Sequence, residues 1–187
     1  MFPHTITLKN ERPALAFARD GAIVLLSSIL LSLLGQVSIP LPFTPVPIVT
    51  QCQAVLMLGL LLGSRRAAAA VLVFLAQGAM GLPVFAHGSA GLAALVGPTG
   101  GYLFGYLVGA FAVGVIMERG LAKTSSKAFL ALLAGNGIVY LLGASYLASF
   151  IGAQKAMLLG VAPFVIVDLI KLTACVKILQ WIGWEKK

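Results

Sequence analysis

Acidic, thiol and imidazole side chains are scarce in this sequence. Its 187 residues include five acidic residues, two cysteines and two histidines. The HExxH signature of zinc proteases, a Cys-x-x-Cys pair and the Gly-Lys-Ser/Thr end of a phosphate-binding loop are absent from it. With so few groups for metal ligation or acid-base chemistry, we expect no metal, no cofactor and no catalytic set, and therefore a protein that is not an enzyme.

Long polar segments are also missing. Hydrophobic residues make up 60% of the chain, charged residues 10%, and the mean hydropathy is +1.04. Continuous apolar runs favour membrane helices over a barrel, whose strands would alternate polar and apolar residues. A crossing needs roughly 20 helical residues, so six crossings would use most of the chain and leave only short loops.

We therefore predict an all-α membrane protein with a single membrane domain, 1–187. The first apolar run is interpreted as an uncleaved helix rather than as a signal peptide. The six transmembrane helices are predicted at about 14–36, 48–63, 67–80, 100–118, 127–150 and 157–181.

The basic residues are distributed between the apolar runs. The formal net charge is +8, but these residues form no single patch, which disfavours nucleic acid as a partner. They fall in the N-terminal segment, at 65–66, at 119–127 and near the C-terminus, whereas Lys155 lies alone on the other side of the predicted helices. By the positive-inside rule both termini are cytoplasmic, and the chain is predicted to be a multi-pass protein of the cell membrane.

Two connections carry no formal charge but are rich in proline or glycine. Four prolines occur between Pro40 and Pro47, and proline removes amide donors and disfavours helix in the residue before it. This stretch is therefore predicted to be an extended connection, either a stiff linker or a lid over a cavity. The segments 81–91 and 96–102 are predicted to be loops in which glycine permits close backbone approach to a ligand.

Small or polar residues mark three helix faces. Alanines in the first predicted helix and glycines in the fourth recur every fourth residue, which makes strips on which another helix can pack closely. In the fifth predicted helix an amide and a phenol share a face and need a partner on another helix or on a ligand. These residues are Ala14, Ala18 and Ala22; Gly101, Gly105 and Gly109; and Asn136 and Tyr140.

The last apolar run carries two charges. Asp168 and Lys171 are three residues apart, so they share one face of a helix. Ionisable side chains inside a membrane span are energetically unfavourable and commonly mark a functional site. A purely structural ion pair is the alternative, but a pair on one helix joins no second element, and buried pairs rarely add stability. The two charges therefore predict a site for a small amphipathic ligand that has N–H groups and an anion.

Four sequence blocks together resemble a known family. They are Pro-Leu-Pro-Phe-Thr-Pro-Val-Pro at 40–47, Leu-Pro-Val-Phe at 82–85, Gly-Pro-Thr-Gly-Gly-Tyr at 97–102, and Asp168 followed by Lys171. In this order they resemble the BioY family, the biotin-specific S component of energy-coupling-factor (ECF) transporters, over nearly the whole chain. The resemblance implies a six-helix, S-component-like bundle whose pocket opens outward beneath the loops 37–50 and 81–99 and binds biotin.

The resemblance also implies partners. The strip of Ala14, Ala18 and Ala22 is expected to contact a transmembrane coupling (T) subunit, with two ATPase subunits beneath it. Those ATPases would hydrolyse ATP and this chain would not. Biotin as ligand and the lipid bilayer are the other expected partners.

For the site, the resemblance implies that Asp168 and Lys171 contact biotin. Our hypothesis is that Asp168 accepts hydrogen bonds from the ureido N–H groups, while Lys171 donates to the ureido oxygen or to the valerate carboxylate. Further polar contacts are expected from Gln51, Thr99 and Asn136, and apolar lining from Phe43, Phe85, Tyr102 and Tyr140.

His87 departs from the family pattern, in which the loop after Phe85 is richer in Gly or Asn. Its imidazole is expected either to donate a hydrogen bond to the ligand or to stand in solvent. Both interpretations remain open from the sequence.

Other functions also remain open from the sequence. A biotin facilitator that works without ATPase partners, or an S component for another small vitamin, would have the same features. A membrane enzyme or assembly subunit that uses the Asp168 and Lys171 pair for proton chemistry is a third class.

Overall fold

The structure is a computed structural model that describes residues 13–184. This part of the chain is mostly helical and contains one β-hairpin. The helices are α1 (Pro13–Gln36), α2 (Gln51–Leu62), α3 (Ser64–Ala79), α4 (Leu92–Val96), α5 (Gly100–Glu118), α6 (Ser125–Ile151), α7 (Ala153–Gly160) and α8 (Ala162–Trp181). The strands are β1 (Ser38–Leu41) and β2 (Thr44–Val49), and a 3-10 turn covers Ala86–Gly88.

Four helical segments within 13–184 have the length and hydropathy to cross a membrane. They are Ala14–Gln36 in α1, then α5, then α6, and the combined segment Ala153–Trp181 of α7 and α8. The other two helices of the predicted six, α2 and α3, have 12 and 16 residues, fewer than the roughly 20 of a straight crossing. Residues 13–184 therefore form a mostly helical membrane protein with four segments of spanning length.

The proline stretch forms a β-hairpin, which the prediction of an all-α chain missed. Its strands are antiparallel, with Ser38 opposite Val49 and Ile39 opposite Ile48. In this two-stranded sheet both strands are edges, and an edge tolerates proline because the missing N–H is not needed for a second ladder. The helix predicted from residue 48 begins instead at Gln51, since residues 48 and 49 belong to β2.

α3 begins three residues earlier than predicted. The Glu118 carboxylate accepts hydrogen bonds from the backbone N–H of Ser64 at 2.7 Å and from its hydroxyl at 2.9 Å. A carboxylate in this position satisfies a free N–H group of the helix start and interacts favourably with the helix dipole. Arg65 and Arg66, which lie between the second and third predicted helices, are in the first turn of α3, where Arg66 pairs with Asp20 at 2.9 Å.

The last predicted helix, 157–181, is divided into α7 and α8. Val161 between them has non-helical dihedral angles (φ −124°, ψ −59°). Pro163 follows in the first turn of α8, and its missing N–H and its ring disfavour a continuous helix. The break leaves carbonyl groups near the end of α7 without their usual helical donors.

The remaining boundaries differ less from the prediction. α1 and α5 occupy the predicted ranges to within one residue, and α6 is longer than predicted by two residues at its start and one at its end. The segment 81–99, predicted as loop, contains the 3-10 turn and α4.

α5 lies at the centre of the bundle, packed against α2, α3 and α6. Its glycine strip faces α6: a Cβ added at Gly101, Gly105 or Gly109 would meet α6 atoms at 2.4, 3.0 and 3.2 Å. The absence of side chains therefore permits the close approach of the two helices, and the strip serves packing within the chain.

α1 lies at the outside of the bundle and packs on α3 and α2. Polar contacts hold it there: the side chain of Gln77 in α3 reaches Ser28 and Ser32, each at 3.3 Å. The Gln51 amide donates to the Leu31 carbonyl at 2.7 Å. The alanine strip of α1 is exposed at all three positions, Ala14, Ala18 and Ala22.

Three connections meet at one end of the bundle. Ser38 of β1 accepts a hydrogen bond from the backbone of His87 at 3.1 Å, and Thr44 of β2 donates to the Leu159 carbonyl of α7 at 2.8 Å. The hairpin, the segment 81–99 and α7 thus form one surface. Basic side chains collect at the opposite end, together with Asp20, but Lys9, Arg12, Lys186 and Lys187, which entered the orientation prediction, lie outside the described residues.

Candidate binding site

A carboxylate, an ammonium and a phenol come together where α8 faces α6 and the hairpin. The Tyr140 hydroxyl of α6 donates to Asp168 Oδ2 at 2.5 Å. Lys171 Nζ lies 3.4 Å from Asp168 Oδ1, and the two side chains are 20% and 10% exposed. One turn of helix brings the two charges together, as their spacing predicts, but the shortest contact of the carboxylate is to the phenol.

Lys171 makes its shortest contact with the hairpin. Its Nζ donates to the backbone carbonyl of Val49, at the end of β2, at 2.8 Å. The two charges therefore do join α8 to other elements: Asp168 to α6 through Tyr140, and Lys171 to β2. This corrects the argument from sequence that a pair on one helix ties nothing together.

Two small cavities lie beneath the hairpin. The first, about 70 Å³, is bounded by the hairpin, the start of α2, the segment 85–99 and α5. The second, about 40 Å³, lies between the hairpin and the helices α2, α5, α6, α7 and α8, and Asp168 and Lys171 line it. Both are bounded by the same group of five residues, Val46, Pro47, Val49, Tyr102 and Tyr106.

Seven of the ten residues predicted to contact ligand line these cavities. Gln51, Phe85 and Thr99 line the first, Tyr102 lines both, and Tyr140, Asp168 and Lys171 line the second. They come from five separate parts of the chain, which the fold brings to one place.

Asn136 is buried beside the site but lines neither cavity. Its amide oxygen accepts a contact from the Cys52 thiol at 3.4 Å, and Cys52 in turn lines the second cavity. The predicted polar face of Asn136 and Tyr140 therefore points toward the site, with only the phenol reaching it.

Phe43, predicted to line the ligand, lies away from both cavities. It stands between the two strands at the hairpin turn, 54% exposed, and lines neither cavity. Alternation along the strand explains the difference, because the buried hairpin side chains on this stretch are Thr44 and Val46.

His87 also lies outside both cavities and is exposed. Its ring Nδ1 is 3.0 Å from the Ser38 hydroxyl, and its backbone has a positive φ of 57°. The imidazole therefore joins the 3-10 turn to β1 instead of facing the cavities.

Tyr102 is fixed by a narrow slot. Its hydroxyl donates to the Gly160 carbonyl at 2.9 Å, a group at the break between α7 and α8. A Cβ added at Gly143 in α6 would lie 2.2 Å from its ring, so the ring occupies the space that glycine leaves. The ring forms part of the cavity wall, and its hydroxyl donates its hydrogen bond to the Gly160 carbonyl.

Comparison with known proteins agrees with these features. A family model described as BioY family matches residues 6–184. The chain belongs to the BioY family. This confirms the resemblance inferred from the four sequence blocks.

Two relatives illustrate the likeness of this BioY-family chain to known proteins. It is 44% identical over 136 residues to "Biotin transporter BioY" of Thermotoga maritima, covering 72% of this chain and 79% of the relative. It is 36% identical over 163 residues to "Probable biotin transporter BioY" of Pyrococcus horikoshii, covering 87% and 95%.

A solved structure has a similar fold. The crystal structure of the S-component for biotin from an ECF-type ABC transporter matches with a TM-score of 0.83 and 26% sequence identity. The match covers 93% of this chain and 95% of that one.

Sequence reasoning missed several cavity residues of this BioY-family chain. Val46, Pro47 and Val49 come from the hairpin, and their role depends on a long-range docking that no local pattern shows. Tyr106 carried a usable signal, since it lies four residues after Tyr102 and therefore on the same face of α5.

The arrangement suits a small amphipathic molecule. Aromatic and aliphatic side chains form the walls, and a carboxylate acceptor and an ammonium donor lie at one end of the second cavity, a composition usual for small-molecule sites. Ligand pockets commonly measure about 300–1,000 Å³, more than the two cavities have here. A ligand therefore needs the hairpin or the side chains beneath it to move.

Proposed function

We propose that this chain is the biotin-binding S component of an ECF-type vitamin transporter. The observation that carries the proposal is the buried cluster of Asp168, Lys171 and Tyr140 beneath a hairpin, in a chain whose fold resembles the S-component for biotin. Relatives named as biotin transporters support biotin as the ligand.

In this proposal Asp168 accepts hydrogen bonds from the ureido N–H groups of biotin. Lys171 exchanges its contact with the Val49 carbonyl for one with the ureido oxygen or the valerate carboxylate. The aromatic walls at Tyr102, Tyr106 and Phe85 contact the thioether ring and the carbon chain. Each charge is then neutralised by the ligand or by the other charge, which is required in a site of low dielectric.

The proposed arrangement in the cell membrane has six crossings and both termini in the cytoplasm. α2 begins beside the hairpin and ends next to Glu118 at the other end of the bundle. α3 returns to the first end, where the Gln36 amide of α1 donates to the Pro83 carbonyl at 2.6 Å. Arg65 and Arg66 lie at the end that we assign to the cytoplasm, which agrees with the positive-inside rule. The hairpin and its cavities then face outward.

We further propose that α1 contacts a transmembrane coupling subunit, with two ATPase subunits beneath it. The exposed strip of Ala14, Ala18 and Ala22 supports this, because small exposed side chains allow a second helix to approach closely. ATP hydrolysis belongs to the ATPase subunits in this proposal.

A binding panel tests the ligand. The purified protein in detergent is titrated calorimetrically with biotin, dethiobiotin, thiamine and riboflavin. We expect saturable binding of biotin with a stoichiometry of one and no binding of thiamine or riboflavin. A preference for thiamine or riboflavin, or no binding of any of the four, would overturn the assignment.

A transport assay tests the partners. Uptake of labelled biotin is measured in cells that express this chain with and without a coupling subunit and its ATPases. We expect uptake to depend on the added subunits. Equal uptake in cells that lack any coupling ATPase would identify a stand-alone facilitator instead.

A further inference from the structure

Pro163 creates a free hydrogen-bond acceptor near the end of α7. In an α-helix the carbonyl of residue 159 would accept from the N–H of residue 163, but proline has no N–H. In this structure the Thr44 hydroxyl fills that position and donates to the Leu159 carbonyl at 2.8 Å. The contact is only part-exposed and joins residues 115 apart in sequence.

The same strand is held at its other end. Val49, which ends β2, accepts from Lys171 Nζ at 2.8 Å. β2 is therefore attached at its first residue to α7 and at its last residue to α8. Between these two attachments lie Val46 and Pro47, which line both cavities.

The two attachments differ in what a ligand can do to them. A ligand that contacts Lys171 draws on the same ammonium that bonds the Val49 carbonyl, so this attachment is open to change when ligand binds. The Thr44 contact lies outside both cavities, so it can persist when ligand is bound. It is then the attachment that keeps β2 over an occupied site.

We propose that Thr44 is a positioning residue, which holds β2 over the site through the carbonyl that Pro163 leaves free, and so slows ligand release. The predicted effect on biotin release rests on the proposed function, whereas the attachment of β2 to α7 does not depend on it. Loss of one such hydrogen bond changes an equilibrium about two- to tenfold.

A double-mutant cycle in the ligand-free protein tests the attachment. Hydrogen–deuterium exchange is read on peptides covering 38–43 in Thr44→Val, Pro163→Ala and the double variant. Pro163→Ala adds an N–H that competes with Thr44 for the Leu159 carbonyl without touching the hairpin. The readout avoids Val46, because its N–H also contacts the Thr44 hydroxyl, at 3.2 Å, and would lose that partner directly.

We expect each single variant to speed hydrogen exchange in β1 about two- to tenfold. The double variant should exchange at about the rate of the faster single variant, because both substitutions remove the same hydrogen bond. Thr44→Ser, which keeps the hydroxyl, should exchange like the wild type and serves as the folding-matched control. The attachment would be overturned if Thr44→Val exchanged at the wild-type rate. It would also be overturned if the rate increase in the double variant were the product of the increases in the two single variants.

Biotin dissociation rates test the consequence. Thr44→Val and Pro163→Ala should each release biotin about two- to tenfold faster, with Thr44→Ser unchanged. If the wild type does not bind biotin while the exchange cycle behaves as expected, the proposed function fails and the attachment stands. If the wild type binds biotin and all three variants release it at the wild-type rate, Thr44 has no positioning role for the ligand.

Discussion

The helices below the candidate site and the hairpin above it are built on different principles. We call α5, α6 and α8, with Tyr102, Tyr140, Asp168 and Lys171, the floor, and the β1–β2 hairpin the roof. The floor supplies both charges and three phenols, since Tyr106 of α5 also lines both cavities. Its helices α5 and α6 pack closely through glycines. The roof lines the cavities with Val46, Pro47 and Val49. Its polar contact with the floor is the backbone carbonyl of Val49, which accepts from Lys171.

The difference shows which part can move. The floor is held by continuous helix packing, in which the glycines of α5 let α6 approach closely. The roof is a two-stranded hairpin, a structure only marginally stable by itself in water, attached through hydrogen bonds such as those of Thr44 and Lys171. We infer that a ligand is recognised mainly by the floor and admitted by displacement of the roof.

The largest effect is expected from removing the charge of the Asp168 carboxylate, the hydrogen-bond acceptor of the floor. Asp168→Asn should weaken biotin binding about tenfold to hundredfold, because hydrogen bonds to a charged group contribute about 1.5–3 kcal/mol. Calorimetric titration measures the change. Asp20→Asn is the matched control: it alters the ion pair with Arg66, far from the cavities, and should leave affinity unchanged. Equal affinities for all three proteins would remove Asp168 from the site.

Removing the ammonium should affect both regions. Lys171→Met is expected to weaken biotin binding about tenfold and also to speed hydrogen exchange in β2, since the Val49 carbonyl loses its donor. Lys177→Met, an exposed lysine farther along α8, is the control for the lost charge. If the affinity falls while exchange in the hairpin is unchanged, Lys171 serves the ligand alone and the roof is held elsewhere.

Altering the floor's packing should have an intermediate effect. Gly143→Ala places a Cβ 2.2 Å from the Tyr102 ring, and such overpacking costs about 1–3 kcal/mol of stability. Unfolding in detergent should show this loss, and biotin affinity should fall several-fold as Tyr102 shifts. Gly137→Ala on the same helix meets no atom within 4 Å and should be neutral. Similar unfolding of the two variants would show that the Tyr102 slot adapts freely.

The smallest effect is expected at the tip of the roof. Phe43 is exposed, so Phe43→Ala should change biotin affinity by less than about twofold, as surface substitutions usually do. Phe85→Ala gives the contrast, since Phe85 is buried and lines the first cavity. A tenfold loss on Phe43→Ala would restore the lining role that the sequence suggested and would make the roof a recognition element.

The floor could be predicted from sequence because its information is local. Asp168 and Lys171 share a face by spacing alone, and the range of α5 follows from its apolar run. The glycine strip of α5 likewise predicts close packing, although not its partner helix.

The roof could be predicted only in part, because its information is long-range. Prolines exclude helix from 40–47, but they do not show that the stretch pairs with itself. The division of α7 from α8 had a signal in Pro163, whereas the use of the freed carbonyl by Thr44 depends on contacts 115 residues apart in sequence. The sequence does not determine the side-chain positions of His87 and Phe43 for the same reason: both belong to connections whose side-chain directions are set by the docked hairpin.

The most direct test of the account is the structure of this chain with biotin bound. We predict biotin between β2 and the floor, with a ureido nitrogen at about 2.7–3.2 Å from the Asp168 carboxylate and the Lys171 ammonium in contact with the ligand. Biotin bound elsewhere, for example in the groove between α6 and α7 lined by Leu141 and Met157, would contradict the assignment of both floor and roof.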